Sequence, residues 1–398
     1  MLPLSKSKYW IDIHKNTKCY PHSSSNSDSQ VVIVGGGLYG CLTAYYLSQY
    51  NIDTVLIEKD TIASKNTSLS LFSLTFNQIK LLSELINISG EKNAIRSTKL
   101  CKKAIDDVQD ILHATSKQCD FEKKTTILFT SYENSLERLK NENSLLNNNG
   151  IDAAYFEATD LSNKFSILAQ GGIYTKYGAT LDPIKFCHSL LKASAAKGTR
   201  IYENTPLLSY DYSNSGLKVN TKNFSIKCDL LVFASGDSTL GLLGDELLNI
   251  QDTCTIVTTP LSVSPNMWES NCIILEIDHP YTSIRLTSDN RIIASQISTT
   301  KLENEEILKN QCVSLLTKVK TLIPRLSDLE IAYMSKGTFV DTKDGLPYIG
   351  KHPKYDKCYF NLGFGGNGTT YSFVGSQIIK DLILYDSNPD MEIFRFGR

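Results

Sequence analysis

The sequence predicts an α/β fold: a parallel-sheet domain assembled from separated stretches of chain, with an α+β domain built on an antiparallel sheet inserted between them. Three observations carry this expectation. Residues 31–60, VVIVGGGLYGCLTAYYLSQYNIDTVLIEKD, read as strand, glycine turn, helix, strand and acid. Residues 229–234, DLLVFA, read as a buried strand that closes on Ser235-Gly236. From Thr253 onward, short apolar runs are separated by turn residues, which is the pattern of antiparallel strands.

In the first stretch each residue type has a physical task. The apolar run 31–34 meets Gly35, Gly37 and Gly40 in the spacing G-x-G-x-x-G. Gly35 permits a tight turn, Gly37 lets backbone approach a pyrophosphate, and Gly40 lets helix and strand pack closely. Leu38 and Tyr39 stand at the start of the helix, whose unpaired N–H groups and partial positive charge suit an anion. The second strand, 54–57, ends in Glu58, with Lys59 next. A carboxylate there accepts hydrogen bonds from ribose hydroxyls and repels a 2′-phosphate. The unit therefore reads as a Rossmann-like dinucleotide site that disfavours an NADP-type nucleotide.

The chain has 398 residues, enough for about two domains. Its 41% hydrophobic and 21% charged content is ordinary for a globular protein. A formal net charge of −1 gives no electrostatic case for nucleic acid or an anionic membrane surface. The 10 cysteines are scattered without C-x-x-C spacing, and the six histidines form no ligand pattern. This predicts reduced thiols, no metal site and a cytoplasmic protein. The N-terminus has no signal-peptide core, and no run reaches the ~18 apolar residues of a membrane helix.

Residues 1–29 read as a polar arm whose Ser23–Ser25 patch is a linker and whose Tyr9 and Trp10 can anchor it on the body. Residues 77–113 read as helix, 121–129 as a strand pair, and 131–149 as helix. Asp182 is placed as an N-cap before Pro183, for a helix running to about Lys197 and stopped by Gly198. His188 on this helix is expected to pack and not to act as a base. Short strands are expected at 200–202 and 207–212, with a hairpin through 217–220 and 224–227. In 281–287, Tyr281, Ser283, Arg285 and Thr287 share one strand face, while Ile284 and Leu286 share the other.

The glycine fingerprint with Glu58, the GATLDP helix start, the LLVFASG strand and the C-terminal pair DGLPYIG … YFNLGFGGNGTTYS occur in one order. Together they make the chain resemble the D-amino-acid-oxidase-like FAD-dependent oxidoreductases, the relatives of glycine and sarcosine oxidases and gamma-glutamylputrescine oxidoreductases. The resemblance implies FAD, with Gly35, Gly37, Gly40 and Glu58 at its ADP part. It places Leu207 beside adenine, Gly236 at a strand end by the cofactor, and Gly345 in a turn near the flavin. It also implies that Gly365, Gly366, Asn367 and Gly368, with Thr369, open a helix pointing at the flavin ring. The loop 61–73 would return to the cofactor, with Lys65, Asn66, Thr67 and Ser68 where the family usually has small residues and arginine. The implied domains are an FAD-binding domain of 30–80, 155–240 and 336–398 and a substrate domain of 81–154 and 241–335.

Two departures bear on function. Phe339 stands where glycine-oxidase-like members carry a carboxylate-gripping arginine, and Gly337 where sarcosine-oxidase-like members attach FAD through cysteine. FAD is therefore expected to be non-covalent. Arg285, Tyr281 and Lys336 are the candidate substrate-side residues. The resemblance implies oxidation of a CH–NH bond of an amino acid or secondary amine by hydride transfer to flavin N5, with oxygen, a quinone or a protein as electron acceptor. The alternative is a degenerate FAD-binding protein that serves as subunit or partner of a larger dehydrogenase.

Overall fold

The computed structural model describes residues 8–398 apart from 16, 18, 22–24, 78–79, 214–215, 244–246, 262–267 and 269–270. Ser23 and Ser24 of the expected linker thus lie outside the described residues. In chain order, β1 (Ser27–Val34), β2 (Thr54–Ile57), β3 (Ser73–Thr75), β4 (Glu122–Thr130), β5 (Ala153–Glu157) and β6 (Gly171–Thr180) precede the helix Pro183–Ala196. β7 (Arg200–Tyr202), β8 (Ser209–Ser213), β9 (Gly216–Asn220) and β10 (Ser225–Phe233) follow it. β11 (Leu248–Thr258), β12 (Ile273–Glu276), β13 (Thr282–Leu286) and β14 (Ile292–Ile297) lead to the helix Glu305–Leu322. β15 (Ile331–Thr342), β16 (Tyr348–His352) and β17 (Tyr355–Leu362) then lead to the helix Gly368–Tyr385.

The first sheet has the order β16-β17-β10-β1-β2-β7, with β9 beside β10 and β8 beside β9. Its centre is parallel, since β1 pairs with both β10 and β2, and β10 with β17. The half of β1 from Val31 to Val34 is buried on both faces, as a central parallel strand must be. Val31 and Ile33 pack in the cluster that holds the helix Leu38–Ser48, while Val32 and Val34 pack with Phe233 and Phe360 on the opposite side.

The second sheet has the order β15-β11-β14-β13-β12-β4-β6-β3, with β5 on β6. Its pairs are antiparallel except β12 with β4. One face packs Ile256, Ile274, Ile284 and Ala294 against Cys312, Leu315 and Val319 of the helix Glu305–Leu322. The residues between them, Leu275, Ser283, Ser295 and Thr253, point the other way. β3, β6 and the part of β5 from Tyr155 onward join this sheet, although they fall in the stretches 30–80 and 155–240 of the expected FAD-binding domain. Strand pairing is long-range, and the local pattern of 171–180 does not choose a partner.

Some element boundaries shift for identifiable reasons. The helix expected over 77–113 is two helices, Leu82–Ser89 and Glu91–Thr115, separated at Gly90 with φ 80°. The expected strand pair at 121–129 is the single strand β4, whose register against β6 slips between Lys124 and Thr126. β10 fuses two expected strands, because its first half also pairs antiparallel with β9. Asp182 caps the helix Pro183–Ala196 as expected, its Oδ1 accepting from the N–H groups of Ile184 and Lys185 at 2.9 Å each. None of the ten cysteines is joined in a disulfide. Among the described residues, no helix is long and apolar enough to cross a membrane, and no cluster of metal-ligating side chains occurs.

His188 is half-buried and stacks on Tyr20 with ring centroids 5.8 Å apart. Burial, aided by the nearby His14, pushes its imidazole down from 6.5 to about 4. The folded state therefore binds this proton less readily than the unfolded state. The stability contributed by the neutral ring is complete above about 6.5 and is lost as pH falls towards about 4. Urea titrations across this window will show a declining unfolding free energy. His188→Gln will flatten part of that decline, by less than about 1 kcal/mol per pH unit after solvent screening. A pH profile unchanged in the variant would refute the assignment.

Candidate functional site

The strand–helix turn after β1 is set by two close backbone approaches. Gly35 has φ 117°, and a Cβ there would lie 2.4 Å from the carbonyl oxygen of Ala234 at the end of β10. A Cβ on Gly40 would lie 2.0 Å from the carbonyl oxygen of Gly35, so only glycine lets the helix Leu38–Ser48 lie this close to its own turn. β1, β2 and β10 consequently end side by side. The N–H of Gly35 donates to Ile57, and that of Ala234 to Val34, both at 2.8 Å.

The Glu58 carboxylate sits at this junction, 8% exposed, and accepts from the N–H of Gly36 at 2.6 Å and of Asp60 at 2.8 Å. These bonds hold the acid across the turn, where its position is fixed before any ligand arrives. Opposite, Thr67 Oγ1 accepts from the N–H of Leu38 at 3.1 Å. The hydroxyl-rich loop thus returns to the N-terminus of the fingerprint helix. A Cβ on Gly37 would meet only Thr67 Oγ1, at 3.3 Å, and otherwise faces open space.

That open space belongs to a cavity of about 1320 Å³ that begins at the glycine turn and reaches the face of the second sheet. It exceeds the ~300–1,000 Å³ of an ordinary small-molecule pocket. Gly35, Gly37, Leu38 and Tyr39 line it from the fingerprint, and Glu58 and Lys59 from the end of β2. Lys65, Asn66 and Thr67 contribute one wall, Leu207 and Gly236 another. Gly365, Gly366, Gly368 and Thr369 line it where the helix Gly368–Tyr385 begins. This helix is tied to the fingerprint helix by Thr43 Oγ1 and Ser376 Oγ, 3.1 Å apart.

Other expected residues lie outside the lining. Gly40 is the packing residue just described. Ser68 turns its hydroxyl onto the carbonyls of Ser64 and Lys65 within its own loop. Asn367 is buried behind the glycines, and Gly345 (φ 79°) packs on the Lys80 side chain.

Of the three substrate-side candidates, the structure brings Tyr281 to the cavity but neither Arg285 nor Lys336. Arg285 is on the expected face of β13, yet that face is covered there by the arm and the 61–73 loop. Its guanidinium is 3% exposed and donates to the carbonyls of Leu71, Leu181 and Leu286. Burial lowers its pKa to about 10, so it stays cationic at neutral pH. Lys336 sits one residue from the lining Gly337 and so points to the opposite face, where Nζ meets the carbonyl of Leu302 at 2.9 Å and Asp252 at 2.8 Å.

The second-sheet end of the cavity is lined by Leu128, Leu275, Ser283, Ser295, Thr253 and Phe339. The alternation that singled out Tyr281 also places Ser283 on this face. Ser295 and Thr253 come from neighbouring strands, so only the pairing registers Ser283↔Ser295 and Thr253↔Ile297 bring them in. Tyr281 has its pKa raised by burial and by the negative charge of Glu84, so its phenol is a hydrogen-bond donor across the neutral range.

Residues 30–382 match the model of the family described as FAD dependent oxidoreductase. The chain is 24% identical over 398 residues to a glycine oxidase of Bacillus subtilis (strain 168), covering 93% of this chain and 97% of that protein. It is 23% identical over 385 residues to a putative Rieske 2Fe-2S iron-sulfur protein of the same organism, covering 95% and 73%. Among solved structures, glycine oxidase from Geobacillus kaustophilus superposes with TM-score 0.78 at 19% identity, over 93% of this chain and 99% of that one. L-proline dehydrogenase from P.horikoshii superposes with TM-score 0.77 at 16% identity, over 93% and 97%. These superpositions show a shared fold.

The residues present fit FAD. The open space beside Gly37 adjoins helix N–H groups that suit a pyrophosphate. Both amide atoms of Asn361, a residue of the lining, are buried without a hydrogen-bond partner. Orphaned polar atoms cost about 1–3 kcal/mol each, and such atoms suit a polar ligand. Gly37→Asp places a carboxylate in the open space beside the helix N-terminus. The purified variant will retain less than about a tenth of the wild-type flavin per chain, with an unchanged far-ultraviolet circular dichroism spectrum. Stoichiometric flavin in that variant would refute the pyrophosphate assignment.

Proposed function

The chain belongs to the FAD dependent oxidoreductase family, and from that premise we propose that it oxidises the C–H bond beside the nitrogen of a small amine or amino acid. One observation carries the reading: a single cavity joins the glycine fingerprint and the C-terminal glycine segment to the neutral, hydroxyl-bearing face of the second sheet. Bound FAD supplies a two-electron acceptor for the hydride that leaves the carbon. The nitrogen gives up a proton, and water hydrolyses the resulting imine to a carbonyl compound and free amine. Glycine oxidase and D-amino acid dehydrogenase relatives support this substrate class.

The protein's share of the reaction is positioning and electrostatics. Gly35, Gly37, Leu38 and Glu58, with Lys59, Lys65, Asn66, Thr67, Leu207 and Gly236, are assigned to the nucleotide part of FAD. Gly365, Gly366, Gly368 and Thr369, at the start of the helix Gly368–Tyr385, are assigned to the flavin part. That helix N-terminus favours negative charge on the reduced ring. Tyr281, a protonated phenol, and the hydroxyls of Ser283 and Ser295 orient the substrate by hydrogen bonds. Phe339, 8% exposed, takes the place of a carboxylate clamp with an apolar wall that keeps water from the reacting carbon.

Non-covalent attachment of FAD is part of the same proposal. Gly337 carries no thiol, and the neighbouring Cys254 packs in the cluster on the opposite face of the sheet.

The test is an anaerobic visible spectrum of the holoprotein before and after addition of a panel of amines and amino acids. The expected result is bleaching of the flavin band by at least one compound. Tyr281→Phe, which leaves the FAD end untouched, will then lower kcat/KM about 10-fold with unchanged flavin content. A flavin band that no compound bleaches, yet that dithionite does, would sink the oxidation reading.

A further inference from the structure

The buried guanidinium of Arg285 has no task in the proposed reaction. A charged group taken out of water needs compensating partners, and three backbone carbonyls supply them. The first belongs to Leu71, a residue of the cavity wall. The guanidinium also lies 5.3 Å from the ring centroid of Trp10, which is only 2% exposed. The arginine thus joins the loop, through the Leu71 carbonyl, to the Trp10 ring of the N-terminal arm.

The arm is fastened along its length. Tyr9 OH donates to Asp289 at 2.5 Å, and the Tyr9 and Trp10 rings lie 4.6 Å apart. His14 Nε2 meets Asp182 Oδ2 at 2.6 Å, on the carboxylate that caps the helix Pro183–Ala196. The arm also grips the hydroxyl-rich loop. Lys8 Nζ donates to the carbonyl of Ser64, and Trp10 Nε1 to that of Ser70 at 3.2 Å. Ser64, Ser70 and Leu71 all line the cavity, as does Thr67 between them, which binds the N–H of Leu38 at the fingerprint helix. The wall of residues 64–72 is thus held at both ends and at its back by side chains that do not face the ligand.

We propose that Lys8 and Trp10 of the arm, with Arg285 behind them, form a clasp that positions the 64–72 wall over bound FAD and so sets the lifetime of the holoprotein. These are positioning residues, acting on the cofactor through the loop backbone. Both ends of the wall answer the arm and Arg285 through carbonyls, those of Ser64, Ser70 and Leu71, so these ends are placed from outside the loop. Loosening any of the three donors gives the wall freedom to move off the cavity while the sheets beneath it stay intact. The charge of Arg285 matters less here than its planar set of donors, which lysine lacks.

The experiment measures the rate of FAD release from the holoprotein, read as the rise of free-flavin fluorescence after dilution, without turnover. Lys8→Met removes one donor at a half-exposed site, and Trp10→Phe keeps the buried ring but removes the bond to Ser70. Each lost bond predicts about 3- to 10-fold faster release, with the thermal midpoint of the apoprotein unchanged. Arg285→Lys, keeping the charge and losing the fork, should accelerate release at least as much. Release at the wild-type rate in both Lys8→Met and Trp10→Phe would overturn the clasp. So would faster release accompanied by a matching fall in apoprotein stability, since that is what a merely structural role produces. Because no substrate is used, these outcomes are independent of whether the amine-oxidation reading holds.

Discussion

Burial of β1 between β10 and β2 is the constraint on which the rest of the molecule depends. Its parallel registers with both neighbours align three strand ends, at Val34, Ile57 and Phe233. With the ends aligned, the glycine turn, Glu58 and Ser235-Gly236 necessarily surround one opening. The close contact of Gly40 with the Gly35 carbonyl then sets the fingerprint helix directly beneath that opening. A displacement of either neighbour by one residue would turn that neighbour's side chains to the opposite faces and put its end out of line with Val34. The ligand site is therefore stabilised by the same apolar contacts that stabilise the core.

The second sheet divides its labour between its faces. One face is apolar and covered by the helix Glu305–Leu322, which contributes Cys312, Leu315 and Val319 to the cluster. The other carries serine, threonine and leucine side chains into the cavity. A sheet needs only one apolar face to be stable, so the second is available for chemistry. Lys336 and Arg285 illustrate how strict this division is. The lysine falls one residue out of phase with the cavity, while the arginine is in phase but at a point where the arm and the returning loop cover the face.

The arm and the hydroxyl-rich loop show a different use of polarity. Side chains of the arm donate to carbonyls of the loop, and a side chain of the loop accepts from the fingerprint helix. Beyond the turn bonds inside the loop, from Ser64 to Thr61 and from Ser68 to Lys65, the carbonyls of Ser64, Ser70 and Leu71 are answered from outside it. The residues that order the wall lie far from it in sequence: Lys8 and Trp10 on the arm and Arg285 on β13.

The amino-acid sequence by itself determined the parallel unit, its glycine turn and the acid that ends its second strand. Those features rest on contacts that are local or on residues with singular conformational demands, such as Gly35, Gly40 and the terminal Glu58. Tertiary structure alone decided which strands joined which sheet, and it set β3, β5 and β6 in the antiparallel one. It also decided that Ser283 and Ser295 meet at the cavity, that Lys336 faces away, and that Arg285 supports a wall. Period-two alternation assigns a side chain to a face, but it does not say what covers that face. The cover at Arg285 comes from Trp10 and Leu71, and contacts across such separations in sequence are fixed only when the whole chain is packed.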